Sequence, residues 1–174
     1  MFKVFVLCLL LYPLVSFSQT SIQQTGSEIS AADAQALLNH HNKIRNDLGI
    51  SPLTWSATIA AYAQVWADSL ANSNDCNLKH RNNRAIGYGE NLFSGSSAEV
   101  YKPVDASLAW YSEIKDYTYA RLSESNWHKT GHYTQMIWNN TKQVGVGVAT
   151  CPNGGIVIVA NYYPAGNYMG QFPY

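Results

Sequence analysis

The β-type sequence of this chain lies at its end and close together, and that placement constrains the fold more than any other feature. Val144-Gly-Val-Gly-Val148 alternates valine with glycine, and Ile156-Val-Ile-Val159 is an unbroken β-branched run. The first suits a strand with two unlike faces, the second a buried strand. Between them Cys151-Pro-Asn-Gly-Gly155 carries the residues of a tight reversal, so 144–163 reads as a β-hairpin. Helical patterns come earlier. Helices followed by strands predict an α+β domain with helices packed on a small, mainly antiparallel sheet. The length, 174 residues, fits one domain, and there is no internal repeat.

The first helix is marked by Ser30 as N-cap with Asp33 in the first turn; Leu37, His41, Ile44 and Leu48 then recur at helical spacing, and Gly49 stops it. Pro52-Leu-Thr-Trp55 reads as a short extended connector. A second helix starts near Ser56, with Ile59, Ala63, Trp66 and Leu70 on one face. Residues 71–97, rich in Asn, Gly and Ser, read as mostly loop. A third helix starts near Pro103, a favourable first-turn residue. On it Ala106, Trp110 and Glu113 share a face, which points Glu113 towards the interior.

Met1-Phe-Lys3, an apolar run to Val15 and the small residues Ser16 and Ser18 read as a secretory signal peptide, residues 1–18. An uncleaved anchor is the alternative, but the run falls short of the roughly 20 residues of a membrane span and Pro13 interrupts it. Residues 19–32 then form a flexible lead-in and 33–174 the folded domain. Losing Lys3 with the leader leaves ten Lys and Arg against eleven Asp and Glu. That balance argues against nucleic acid or an anionic membrane as partner, since both require a basic surface. Stable membrane insertion is not expected after cleavage. The leader also removes Cys8; Cys76 and Cys151 remain, most simply as one disulfide in an exported protein, with two free thiols as the alternative.

Four ionisable side chains stand in distinctive settings: His80 after Lys79, Glu90 in Gly89-Glu-Asn-Leu92, Glu113 in Trp110-Tyr-Ser-Glu113, and His132 in Gly131-His-Tyr-Thr-Gln-Met-Ile-Trp138. Two imidazoles can hold a divalent metal, with the glutamates as ligands, as orienters of the rings or as bases on a bound water. Spacing alone equally allows four separate structural hydrogen-bonding groups, because the histidines are far apart in sequence and no His-Glu-x-x-His helix occurs.

These segments, with Asn39-His-His-Asn-Lys-Ile-Arg45, Pro52-Leu-Thr-Trp55, Ala61-Tyr-Ala-Gln64, Cys76-Asn-Leu-Lys-His80 and Asn161-Tyr-Tyr-Pro-Ala-Gly-Asn-Tyr168, occur in the order found in the CAP superfamily. That superfamily comprises the cysteine-rich secretory proteins, the insect venom antigens 5 and the plant pathogenesis-related proteins of class 1. The resemblance covers roughly 34–174. It implies a three-layer α-β-α sandwich and a secreted, extracellular protein. It also implies an open cavity floored by His80, Glu90, Glu113 and His132, where some members hold zinc or another divalent ion through the two histidines. Cys76 and Cys151 fall where one plant disulfide falls. Thr130, Val146 and Ala160 stand where cysteine is usual, and Arg81 where plant members often have serine, so the scaffold is less cross-linked and the cavity rim altered. No cysteine-rich extension follows, so ion-channel regulation is not implied.

Three functions compete. The resemblance implies binding of sterols or other small lipids, for which Tyr88, Phe93 and Tyr101 on a mobile 86–103 segment form an apolar lid; the alternative is that they pack on the core. A metal-dependent hydrolase would use Glu90 or Glu113 as general base. The tail 164–174 resembles a peptide that plants release as a defence signal, the alternative being a structural tail over the sheet. Asn139-Asn-Thr141 is a glycosylation sequon.

Overall fold

The computed structural model describes residues 21–73 and 76–174; the leader reading lies outside the described residues. Helix α1 spans Ala31–Asp47, and Ser30 caps it by accepting from the Asp33 N–H. A short strand β1, Thr54–Trp55, leads into α2, Ala57–Ser73. Strand β2, Gly89–Gly95, follows. Helix α3, Pro103–Tyr111, starts where the Asp105 carboxylate accepts from the Lys102 N–H (2.7 Å) and runs on into a 3-10 turn, Ser112–Asp116. Helix α4, Trp127–Met136, precedes the hairpin of β3, Gln143–Thr150, and β4, Ile156–Tyr163.

The sheet order is β1-β3-β4-β2, with β1 parallel to β3 and the other pairs antiparallel. Alternation along β4 separates two cores. Ile156, Ile158, Ala160 and Tyr162 face α1, α3 and α4, whereas Val157 and Val159 face α2. This is the expected three-layer α-β-α sandwich. On the α2 side, Gly145 and Gly147 of β3 lie directly under the helix, where a Cβ would overlap the backbone at Ala60 and Gln64 respectively.

Two segments differ from the sequence reading. Residues 89–95, expected within a loop, are a strand, because β4 supplies an antiparallel partner for every residue from Gly89 to Gly95. The part of the lead-in that is described is held against the domain. Ile29 is buried, Ser27 Oγ donates to the Val146 carbonyl (2.6 Å) and Trp55 Nε1 to the Thr25 carbonyl (2.9 Å).

The disulfide joins Cys76 to Cys151, 75 residues apart, and so ties the segment after α2 to the end of β3. Closing a loop of that length stabilises by about 4 kcal/mol in the chain-entropy account. Arg45 is fully buried and meets no carboxylate among the described residues. Its guanidinium donates to the carbonyls of Ser51 (2.7 Å), Met136 (2.9 Å), Trp138 (3.0 Å) and Thr141 (3.1 Å). Burial pushes it down to about 10, so it stays protonated at neutral pH. A cation here satisfies the carbonyls that α4 leaves open at its C-terminus and thereby fixes where α4 ends.

Candidate functional site

The edge position of β2 creates the site. Glu90 and Asn91 are neighbours on that strand, so they emerge on opposite faces of the sheet, yet both line one cleft. The cleft therefore straddles the sheet edge. Its volume is about 280 Å³, and His80, Trp127, His128, Gly131, His132 and Asn167 complete its lining.

The Glu90 side chain is only 4% exposed and is fixed by four donors. Its Oε1 accepts from His80 Nδ1 (2.8 Å) and the Arg81 N–H (3.0 Å), and its Oε2 from Asn83 Nδ2 (3.1 Å) and Asn161 Nδ2 (3.3 Å). Glu113, in the turn after α3, repeats the arrangement on the other side. Its Oε1 accepts from His132 Nδ1 (2.6 Å) and its Oε2 from the Tyr133 N–H (3.0 Å). Trp110 stacks on the His132 ring (6.3 Å, 22°), and Asn91 Nδ2 donates to the His132 carbonyl (3.0 Å).

Because a carboxylate only accepts, each Nδ1 carries the proton, and the neutral ring keeps its lone pair on Nε2. Carboxylate–imidazole pairs of this kind orient metal-binding histidines. The donor set thus fits a divalent ion of the zinc type, with His80 and His132 as its imidazole ligands. Among the described residues, no three His, Cys, Asp or Glu side chains are already gathered as a ligand set.

A buried chain supports His132 from behind. His41 Nδ1 faces the Leu37 carbonyl (3.0 Å), so it is the donor there, and His41 Nε2 accepts from Tyr162 Oη (2.9 Å). Tyr162 Oη in turn accepts from Asn91 Nδ2 (3.3 Å). Burial lowers the His41 pKa to about 3, and the same cause raises that of Tyr162; both are neutral at physiological pH.

The four ionisable residues singled out in the sequence thus form two His–Glu pairs. His80, Glu90 and His132 line the cleft, and Glu113 stands behind His132. Tyr88, Phe93 and Tyr101 do not line it. Tyr88 packs edge-on between Tyr62 (5.2 Å) and Tyr163 (5.8 Å), while Phe93 packs on Tyr101 (5.8 Å) at the other end of β2. Arg81 also turns away from the cleft, with its guanidinium 3.9 Å over the Tyr62 ring. Asn139 is exposed, but the sequon's Thr141 is buried and its hydroxyl donates to the Pro164 carbonyl (2.9 Å).

The sequence reading gave no role to Asn91, Asn167, Trp127 or His128. Asn167 was one letter of a quoted motif. In the fold its Nδ2 donates to the Gly131 carbonyl (2.7 Å) and its Oδ1 accepts from Thr134 Oγ1 (2.8 Å), which fixes the cleft wall. His128 stands four residues before His132, a signal readable once 127–136 is recognised as helix.

Comparison with known proteins agrees with this fold. The chain is 41% identical to Pathogenesis-related protein 1A of Nicotiana tabacum over 140 residues, 80% of each sequence. It is 37% identical to Pathogenesis-related protein PRMS of Zea mays over 169 residues, 97% of this chain and 96% of that one. Among solved structures, BmVAL-1 superposes with a TM-score of 0.75 at 26% identity, covering 88% of this chain and 86% of that one. NaASP2 with Zn2+ superposes with a TM-score of 0.73 at 25% identity, covering 84% and 86%. The model of the Cysteine-rich secretory protein family, CAP, matches residues 38–162, and the chain belongs to that family.

Proposed function

We propose that this CAP protein is a secreted, defence-related binding protein whose cleft takes up a divalent cation, zinc first, through Nε2 of His80 and of His132. One observation carries the reading: each ring is held by Nδ1 on an anchored carboxylate, at 2.8 and 2.6 Å, on the wall of one open cleft. Similarity to the Nicotiana protein supports the defence role, and the structure of NaASP2 with Zn2+ supports the cation. The extracellular address is supported by the family's secretory description and by the disulfide.

Binding fits the site better than turnover does. A general base needs a free lone pair within reach of its water. Glu90 already accepts four hydrogen bonds, which fills its lone pairs, and its side chain is nearly sealed from solvent, while Glu113 stands behind His132 and outside the cleft lining. The released-peptide reading of 164–174 also finds little support. Leu122 and Gly170–Gln171 exchange backbone hydrogen bonds at 2.8–2.9 Å, and the Asn139 N–H donates to the Pro173 carbonyl (2.7 Å).

Sterol or small-lipid binding is a second reading, favoured by a separate groove of about 540 Å³ that includes Ile22, Leu38, Leu53 and Trp55 in its lining. That size falls within the range of small-molecule pockets. The two readings separate in one experiment, in which Zn²⁺ and a labelled sterol are titrated into the mature protein and into a His80→Ala/His132→Ala variant. The cation reading expects saturable zinc binding by the wild type alone, and unaltered zinc binding by the variant overturns it. The lipid reading expects sterol to bind both forms equally, and no sterol binding by either overturns it.

A further inference from the structure

The cleft contains a third imidazole. His128 and His132 both lie on α4, four residues apart, and both line the cleft. Residues at this spacing are neighbours on one helix face, with Cβ atoms about 5–6 Å apart. That is the separation at which two imidazoles on a helix share a metal ion, as in helical His-x-x-x-His zinc sites.

The two rings are held very differently. His132 is fixed by Glu113, Trp110 and the backbone bond from Asn91. The His128 side chain is 66% exposed; its Nε2 comes no nearer than 3.9 Å to Glu124, and its ring leans on Trp127 at 4.3 Å. A contact of that length is not a hydrogen bond, and an exposed ion pair contributes little. Rotating this ring towards the cleft therefore gives up its contact with Trp127 but no hydrogen bond.

The geometry points to His128 as a third ligand that closes on a cation already held by His80 and His132. The inference rests on the cation reading of the cleft. Two pre-set imidazoles bind first, and the mobile third converts a two-point site into a three-imidazole centre with an open position. Imidazole ligands suit zinc and bind copper(II) more tightly still.

The test uses the mature, disulfide-bonded protein with Zn²⁺ alone. Binding is measured by calorimetry, and the imidazole nitrogens are followed by ¹H–¹⁵N correlation spectra. Wild type, His128→Ala, His80→Ala and His132→Ala are compared, with far-UV circular dichroism to verify folding. The expected result is that one equivalent of zinc shifts the nitrogens of His80, His128 and His132 together but leaves buried His41 unmoved. His128→Ala then weakens binding by about tenfold or more, since even indirect supports of a metal site are worth that much. If His128 does not shift and its alanine variant binds as tightly as wild type, while His80→Ala and His132→Ala abolish binding, the third ligand is ruled out and the two-histidine site stands. If the wild type shows no saturable binding, both readings fall together.

Discussion

The two faces of the sheet are built on opposite principles. Against α2 the interface is close and largely apolar: Ala63, Ala67 and Ala71 meet Val157, Val159 and two glycines of β3. Against α1, α3 and α4 it is large and threaded with polar groups, among them Arg45, His41, Asn91 and Tyr162. The first face gains stability from close approach. The second accepts buried polar groups, with Arg45, His41, Asn91 and Tyr162 each bonded to specific partners, and in return fixes the end of α4 and the carbonyl of His132. Close packing and site construction are thus divided between the two sides, and the cleft opens along the strand where they meet.

The largest effect is expected on the close-packed side. Gly147→Val drives a branched side chain into the backbone of α2 at Ala63 and Gln64, and neither can move without lifting the helix. Urea unfolding should show a loss of more than about 3 kcal/mol; a wild-type midpoint would mean that the close approach is not needed. On the polar side, Arg45→Met leaves carbonyls of Ser51, Met136, Trp138 and Thr141 without their donor. A loss of about 2–3 kcal/mol is expected in the same assay: each orphaned buried acceptor costs about 1–3 kcal/mol, and removing a desolvated cation offsets part of the total. An unchanged midpoint would mean that other donors replace the guanidinium.

The smallest effect is on pH dependence. Burial lowers the folded pKa of His41 from the ordinary histidine value of 6.5 to about 3. Between those values the unfolded chain binds a proton that the native state does not. The associated stability is fully present above pH 6.5 and is lost as pH falls towards 3, at roughly 1 kcal/mol per pH unit. His40 is shifted in the same direction by partial burial and by Lys43. Urea midpoints at pH 7.5 and 5 should therefore separate more for wild type than for His41→Asn. Equal separations would place the acid sensitivity elsewhere.

How far each region could be read from sequence follows from how local its determinants are. The cap at Ser30 and the turn at 151–155 depend on residues a few positions apart, and both were legible. β2 was not. Gly89-Glu-Asn-Leu-Phe-Ser-Gly95 has only two large apolar residues and becomes a strand because β4, some seventy residues later, offers it an edge. α4 was hidden for a related reason. Its Gly131 and Thr130 argue against helix locally, while bonds from Asn167, Asn91 and Glu113 anchor it in place. The four site residues were recognised through family motifs, but their pairing required the fold. His128 went unnoticed because its relation to His132 exists only if the intervening residues are helical.

Asn167 belongs to two objects at once. It is part of the C-terminal stretch 164–174, which backbone bonds hold to Leu122 and Asn139, and it is part of the cleft wall, bonded to Gly131 and Thr134 beside His132. A protease can remove that stretch only by opening the wall on which the imidazole sits. An intact cleft and a missing tail are therefore mutually exclusive states of this chain.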